Sequence, residues 1–199
     1  MVLAHSRRLI GLTGGIGTGK TTVSRYLADR YQLPVLDADL YAREAVEKGS
    51  PILEDIVNRY GKKIQLSDGT LNRKLLGEIV FNNPEEKRWL EDKIHPYVLE
   101  RFQSKLEQIK SDTVVLVVPL LFEAKMTDIV TEIWVVYCSD REQIRRIINR
   151  DRLTETQAIA RINSQLPLEQ KVADADIALE NNSSIESLLE QIDTALLKI

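Results

Sequence analysis

Apolar residues along this chain fall into two kinds of run. Short unbroken runs, rich in β-branched residues, lie at 9–12, 114–118 and 133–138, with shorter ones at 33–36 and 177–179. Apolar stretches without alternation mark strands buried on both faces, as in a parallel sheet. Between them apolar residues recur at three- and four-residue spacing, the period of a helix with one buried face. Val23, Tyr26 and Leu27 set such a pattern just after Lys20, and Tyr41, Ala42, Ala45 and Val46 set another that stops at Gly49. Ser50-Pro51 opens a helix with Pro at its first position, carrying Ile52, Ile56 and Val57 and ending at Gly61. After a turn at Asp68-Gly69, Leu75, Leu76, Ile79, Val80 and Phe81 define a further helix. Another starts at Pro84, with Glu85 and Glu86 in the turn where the dipole favours acids. His95-Pro96 is expected to interrupt it, and the spacing resumes through Val98, Phe102, Leu106 and Ile109.

Helices are also predicted over 140–150, from Thr154 to about 166, briefly after Pro167, and after Ser184 with Ile185, Leu188, Leu189, Ile192 and Leu196 on one face. Five buried strands alternating with helices predict an α/β domain built on a doubly wound five-stranded parallel sheet. The block from about 40 to 111 is almost wholly helical and long for a simple crossover, so it reads as an insertion within a single domain of 199 residues.

One stretch carries distinctive chemistry. Gly14, Gly15, Ile16, Gly17, Thr18, Gly19, Lys20 and Thr21, followed by Thr22, match the pattern G-x-x-x-x-G-K-[ST] at every fixed position. The setting matches too, because a buried strand precedes the motif and a helix follows. Glycines let a phosphate chain lie against backbone N–H groups and adopt the positive φ values that curl the loop around an anion. The helix adds free N–H groups and the positive end of its dipole. Lys20 can reach β- and γ-phosphates, and the Thr21 hydroxyl suits a Mg²⁺ ion that also carries phosphate oxygens and water. A glycine-rich turn that binds nothing would explain some of the glycines but not Lys-Thr at the helix start.

Composition narrows the partners. The net charge of −3, against the basic balance usual for nucleic-acid binders, argues against a polyanionic polymer as partner. The single Cys138 permits no internal disulfide and suits a reducing compartment. With only His5 and His95 beside it, a structural zinc site lacks ligands. The longest apolar run, 114–122, is broken by Pro119 and falls well short of the ~18 residues of a membrane span. Arg7-Arg8 precedes apolar residues that turn into the glycine loop within a few positions, unlike a signal peptide. A cytoplasmic monomer is the expectation.

In an open parallel sheet, ligands bind at the carboxyl ends of the strands. Those ends are Gly14 onward, Asp37-Ala38-Asp39, Pro119 to Glu123, and the region after Cys138. Together these blocks make the chain resemble the dephospho-coenzyme A kinase family. The likeness runs from Leu12 through Thr21, then Asp37-Ala38-Asp39 with Arg43, then 68–73 ending in Arg73, Val80-Phe81, His95-Pro96, 118–123, Arg161 to Gln165, Ala175-Asp176 and Asn181. It spans about residues 8 to 195. The loop has Thr18 and Thr21 where the family commonly has serines, and Asn181 lacks the glycine often seen after it.

The resemblance implies transfer of the ATP γ-phosphoryl group to the 3′-hydroxyl of dephospho-coenzyme A. It implies Mg²⁺, a substrate region in the helical insertion and an arginine-bearing lid at about 140–166. On this reading Gly15 to Thr22, Arg150 and Asn181 bind ATP. Asp39, Arg43, Arg73, Phe81, His95, Pro119 and Leu121 face dephospho-coenzyme A. Asp39, Lys20 and Arg150 are catalytic, and Thr21, with Asp37 as a second candidate, holds the metal. Each carries a plainer alternative. Asp37 and Asp39 can cap the following helix. Arg43, four residues after Asp39, can pair with it. Pro119, Leu121 and Phe122 can serve the core. Among Arg141, Arg145, Arg146, Arg150 and Arg152 some simply form a solvated face, and His95 can be a satisfied histidine at a helix end. Two other classes compete. A P-loop switch GTPase would carry an Asn-Lys-x-Asp stretch, which is absent. A non-catalytic nucleotide-binding module would yield no acceptor-dependent ADP.

Overall fold

The structure, a computed structural model, describes residues 7–197, so His5 lies outside it. Two compact units divide the chain. The first runs to Asp37 and resumes at Lys110; the second is Ala38–Ile109.

The first unit is a parallel sheet of β1 (Arg8–Gly14), β2 (Val35–Asp37), β3 (Thr113–Val117), β4 (Glu132–Tyr137) and β5 (Ile177–Glu180), in the order β2-β3-β1-β4-β5. Its helices are α1 (Lys20–Tyr31), α6 (Asp140–Asp151), α7 (Glu155–Asn163), α8 (Leu168–Ala173) and α9 (Ile185–Leu197). Ile10, Leu12, Val115, Val117, Trp134 and Val136 project from one face onto Val23 and Leu27 of α1 and Leu188 and Ile192 of α9. Val114, Leu116 and Val135, at the alternate positions, are fully buried as well. Burial on both faces is why the strand sequences show no alternation. The register aligns Leu12 with Val117 and Val117 with Asp37, while Gly14 lies opposite Val136. The carboxyl ends of β1, β2, β3 and β4 therefore open on one edge of the sheet.

The second unit contains α2 (Ala38–Glu44), α3 (Pro51–Tyr60), a 3₁₀ turn at Lys62–Ile64, α4 (Arg73–Asn82) and α5 (Pro84–Gln108). Its own core holds Ala45, Val46, Leu53, Ile56, Ile64, Leu71 and Leu76. Side-chain oxygens start its helices: Ser50 accepts from Leu53 N at 3.1 Å, Asn72 from Leu75 N at 3.1 Å and Asn83 from Glu85 N at 3.0 Å.

Three sequence expectations change. The helix expected to break at His95-Pro96 is continuous, with Pro96 inside α5. The bond that Pro96 cannot donate would have gone to the carbonyl of Asp92, an exposed residue that water can satisfy, while Val98 and Phe102 keep the later turns buried. The helix through Ala45 and Val46 stops at Glu44, and both residues fill the core from the turn that follows. Asp39 does not close β2. The strand ends at Asp37, and Asp39 lies in the first turn of α2.

Candidate active site

The loop after β1 is shaped by its glycines. A Cβ on Gly14, whose φ is +145°, would stand 2.2 Å from the carbonyl oxygen of Val136 on the neighbouring strand. Gly17 and Gly19 hold φ values of +79° and +107°, in the left-handed region that side chains disfavour. Thr18 turns inward, fully buried, and its hydroxyl donates to the Gly15 carbonyl at 2.9 Å. Lys20 lies back over the loop, its Nζ donating to the carbonyls of Gly14 at 3.1 Å and Gly15 at 2.8 Å. Among the described residues, nothing accepts from the N–H groups of Gly17, Gly19 or Thr21. No side chain caps α1 at Gly19, so its first N–H groups and its dipole face the loop. Free N–H donors at a helix start with an ammonium alongside have the chemistry to take a polyphosphate.

Four side chains from outside the motif support the loop. Gln143 of α6, 2% exposed, donates from Nε2 to the Ile16 carbonyl at 2.6 Å. Gln165, between α7 and α8, accepts from Ile16 N at 2.9 Å. Asn181, just past β5, donates to the Thr18 carbonyl at 2.7 Å. Arg146 donates to the same carbonyl at 3.3 Å and to the Asn181 carbonyl at 2.9 Å. A Cβ on Gly19 would fall 2.3 Å from Asn181 Nδ2, and one on Gly15 would fall 2.4 Å from Gln143 Nε2. Two of these glycines thus also make room for the supports. The sequence points to Asn181, and the family likeness includes Gln165. Neither assigns a role to Gln143, and Arg146 stands out only as one of a cluster of arginines. The available signal was Gln143 sitting four residues before Ile147 on the buried face of α6.

Carboxylates hold Arg145, Arg146 and Arg150 of α6. Glu142 binds Arg145 at 2.6 Å and Arg146 at 2.8 Å. The Arg145 hydrogen bond, more than that of Arg146, holds its carboxyl at about 2. Arg150 makes a two-pronged pair with Asp151 at 2.8 and 2.9 Å, and Arg161 of α7 reaches the same carboxylate at 3.0 Å. The hydrogen bond from Arg150 pulls Asp151 below the usual carboxylate range. The Arg150 side chain is 59% exposed.

Past β3, the Pro119 carbonyl accepts from the Thr13 hydroxyl at 3.2 Å, and Leu121 is fully buried beneath β1. In the second unit, Asp39, Arg43 and Arg73 are exposed, and a guanidinium nitrogen of Arg73 donates to the Arg43 carbonyl at 3.2 Å. Phe81 is 63% exposed at the end of α4, and His95 is half-buried in α5. Glu44 takes Arg101 as its ion-pair partner at 2.8 Å.

Oxygen donors suited to a hard cation are present in the first unit: the hydroxyl of Thr21, an exposed residue in the first turn of α1, and the carboxylate of Asp37 at the end of β2. Among the described residues no group of three or more His, Cys, Asp and Glu side chains gathers in one place. These residues fit a Mg²⁺ ion whose other ligands are phosphate oxygens and water.

Comparison with known proteins gives concordant matches. The family model for dephospho-CoA kinase matches residues 8–187. The dephospho-CoA kinase of Trichormus variabilis is 58% identical over 191 residues, covering 96% of this chain and 97% of that protein. A Thermus thermophilus crystal structure superposes with a TM-score of 0.85 at 32% identity, covering 96% of both chains. The dephospho-CoA kinase structure from Campylobacter jejuni gives a TM-score of 0.69 at 28% identity, covering 94% of both chains.

Proposed function

This chain belongs to the dephospho-CoA kinase family, and we propose from that premise that its loop binds ATP and passes the γ-phosphoryl group to dephospho-coenzyme A. The observation that carries the reading is the extent of the family match, which takes in the phosphate loop, the whole helical unit and all five strands. A P-loop alone would say only that a nucleotide binds.

The 3′-hydroxyl oxygen of the acceptor ribose bonds to the γ-phosphorus. The bond from that phosphorus to the β–γ bridging oxygen breaks, and ADP leaves. The proton of the hydroxyl passes to a carboxylate, and we assign that role to Asp39. Phosphoryl transfer asks the protein mainly for position and charge. The N–H groups of Gly17, Gly19 and Thr21 cradle the phosphates, and Lys20 turns from its carbonyl partners to the β- and γ-oxygens. Arg150 exchanges Asp151 for the triphosphate, and we assign the lid to the segment from about 140 to 166, which Gln143, Arg146 and Gln165 hold to the loop at its two ends. We assign contacts with dephospho-coenzyme A to Arg43, Arg73, Phe81 and His95 of the helical unit and to Pro119 and Leu121 of the first unit, Leu121 acting through packing because it is fully buried. Thr21 and Asp37 would hold Mg²⁺, which when bound offsets negative charge on the transferring group.

Among the described residues no helix is long and apolar enough to cross a membrane, and Cys138 is a buried free thiol. Both support the reading of a cytoplasmic enzyme, which we take to act as a monomer.

The test is ATP turnover with dephospho-coenzyme A beside AMP, UMP and shikimate as acceptors. Dephospho-coenzyme A should be phosphorylated far faster than the others. Equal or faster turnover of AMP would overturn the reading.

A further inference from the structure

Ile16 sits at the apex of the phosphate loop, and its backbone is gripped on both sides by glutamine side chains. Gln143 donates to its carbonyl at 2.6 Å, and Gln165 accepts from its N–H at 2.9 Å. Neither grip is incidental. Gln143 is 2% exposed, and its amide occupies the space that a Cβ on Gly15 would need. A buried amide is costly unless it is bonded, so Gln143 has one stable placement and Ile16 is its partner.

Gln165 is anchored as firmly through its neighbour. Leu166 N donates to Glu123 Oε1 at 3.0 Å, and that same oxygen lies 2.6 Å from Nζ of Lys171. The Lys171 side chain is fully buried. A charge removed from water on this scale holds its counter-ion tightly, because separating the two would leave both uncompensated. The order Lys171, Glu123, Leu166, Gln165, Ile16 thus ties α8, the segment after β3 and the phosphate loop together. Apart from Ile16 itself, none of these residues belongs to the motif.

We propose that Gln165 and Gln143 are positioning residues for phosphoryl transfer: by holding both backbone groups of Ile16 they fix the half of the loop that faces the terminal phosphate of ATP. The half is identified by Lys20: its Nζ rests on the carbonyls of Gly14 and Gly15, directly before Ile16, and has only to swing from them to meet the phosphates. That lysine is the one that reaches β- and γ-phosphates. The inference rests on the loop's being the ATP site. It adds that loop geometry on the γ side depends on residues some 127 and 149 positions away in sequence.

The position of Gln165 also bears on α7. Arg152 before that helix is in the left-handed conformation, with φ of 55°, and the segment after it is pinned at Gln165 and Leu166.

The test uses Gln165→Leu, which keeps the size of the side chain and removes the acceptor, and Gln165→Glu, which keeps an oxygen at the same reach. Binding of ATP and of ADP is measured by calorimetry, alongside kcat, both KM values and thermal melting. Gln165→Leu should weaken ATP about tenfold, the scale of one hydrogen bond lost in a preorganised site, with ADP changed by less than about twofold. Its kcat should fall while the KM for dephospho-coenzyme A stays put, a split that general loosening of the fold would not produce. Amide exchange at Ile16, followed by NMR without nucleotide, should be slow in the parent and in Gln165→Glu and fast in Gln165→Leu. Equal weakening of ATP and ADP, tighter ATP binding in Gln165→Leu, or rapid Ile16 exchange in the parent would each overturn the proposal. The last is read on the unaltered protein, so a variant that fails to fold does not shelter the idea. Failure of the parent to bind ATP would strike the loop assignment instead, while Ile16 exchange would still judge the glutamines.

Discussion

The phosphate loop and the helical unit organise their polar groups in opposite ways. In the loop the working groups are backbone N–H donors, and side chains stand behind them as supports. In the helical unit the backbone is spent on helices and side chains pair with one another. Arg59 there binds Glu86 at 2.6 Å and stacks over Trp89 with its guanidinium carbon 4.5 Å from the ring centroid, while Arg101 pairs with Glu44 and lies over Tyr41. A site made of backbone tolerates almost no added Cβ, whereas a unit made of packed helices does. The same chemical change should therefore have opposite signs in the two regions.

Gly14→Ala is the severest way to probe this. Its Cβ would meet a backbone oxygen at 2.2 Å at a φ of +145°, and the sheet cannot part there without losing the β1–β4 pairing. A loss of about 3 kcal/mol or more is expected, through strain and a backbone clash. Thermal or urea denaturation checks it.

Lys20→Ala leaves the loop in place and removes its cation. Turnover should fall by about 10²-fold or more, roughly the 3–4 kcal/mol that one preorganised donor contributes to a transition state. If turnover stays within about threefold of the parent, the loop does not act on the transferring group.

The two carboxylates flanking Ala38 divide along the same boundary, Asp37 in the sheet and Asp39 in the helical unit. Asp39→Asn should lower kcat by about 10²-fold, at the low end of a general base's contribution, and leave ATP affinity near the parent. Asp37→Asn should act on Mg²⁺ dependence or stability. Titrations of ATP and Mg²⁺ on both variants separate the roles. A dead Asp37→Asn with a fully active Asp39→Asn would mean that the roles are reversed.

Smaller effects come from surface charge and from helix propensity. Arg145 holds the Glu142 carboxyl at about 2 in the folded protein, against an ordinary 4.5. A lowered carboxylate stabilises the fold above its ordinary value, and that contribution disappears as pH falls from about 4.5 toward 2. Glu142→Gln should accordingly lower stability modestly above pH about 4.5 and leave it unchanged below about 2, which flattens the acid limb between them, read by circular dichroism. Gly77→Ala in α4 closes the comparison. Nothing lies within 4 Å of its Cβ, so the substitution should raise stability by about 0.5–1 kcal/mol, the opposite sign to Gly14→Ala.

The contrast also explains what the sequence reveals. Backbone function leaves a contiguous trace, because glycines and the Lys-Thr pair must stand at fixed spacing, and the strands are equally plain because burial on both faces removes alternation. Supports leave no such trace. Gln143 and Arg146 are ordinary residues of a charged helix until folding sets them against Ile16 and Thr18. Pro96 misleads for a related reason, since local propensity argues for a break that the burial of Val98 and Phe102 in the same helix overrides. Asp39 reads as a strand end in the sequence because β2 and α2 adjoin with no loop between them, a boundary that periodicity does not resolve.

The account's central claim is that the loop hands a phosphoryl group to one particular oxygen. A single turnover with ATP labelled in its γ-phosphate, in the presence of dephospho-coenzyme A and Mg²⁺, tests it most directly. The label should appear on the 3′-oxygen of the ribose, with ADP formed in equal amount. Label recovered as inorganic phosphate, or on any other position of the acceptor, would contradict the account.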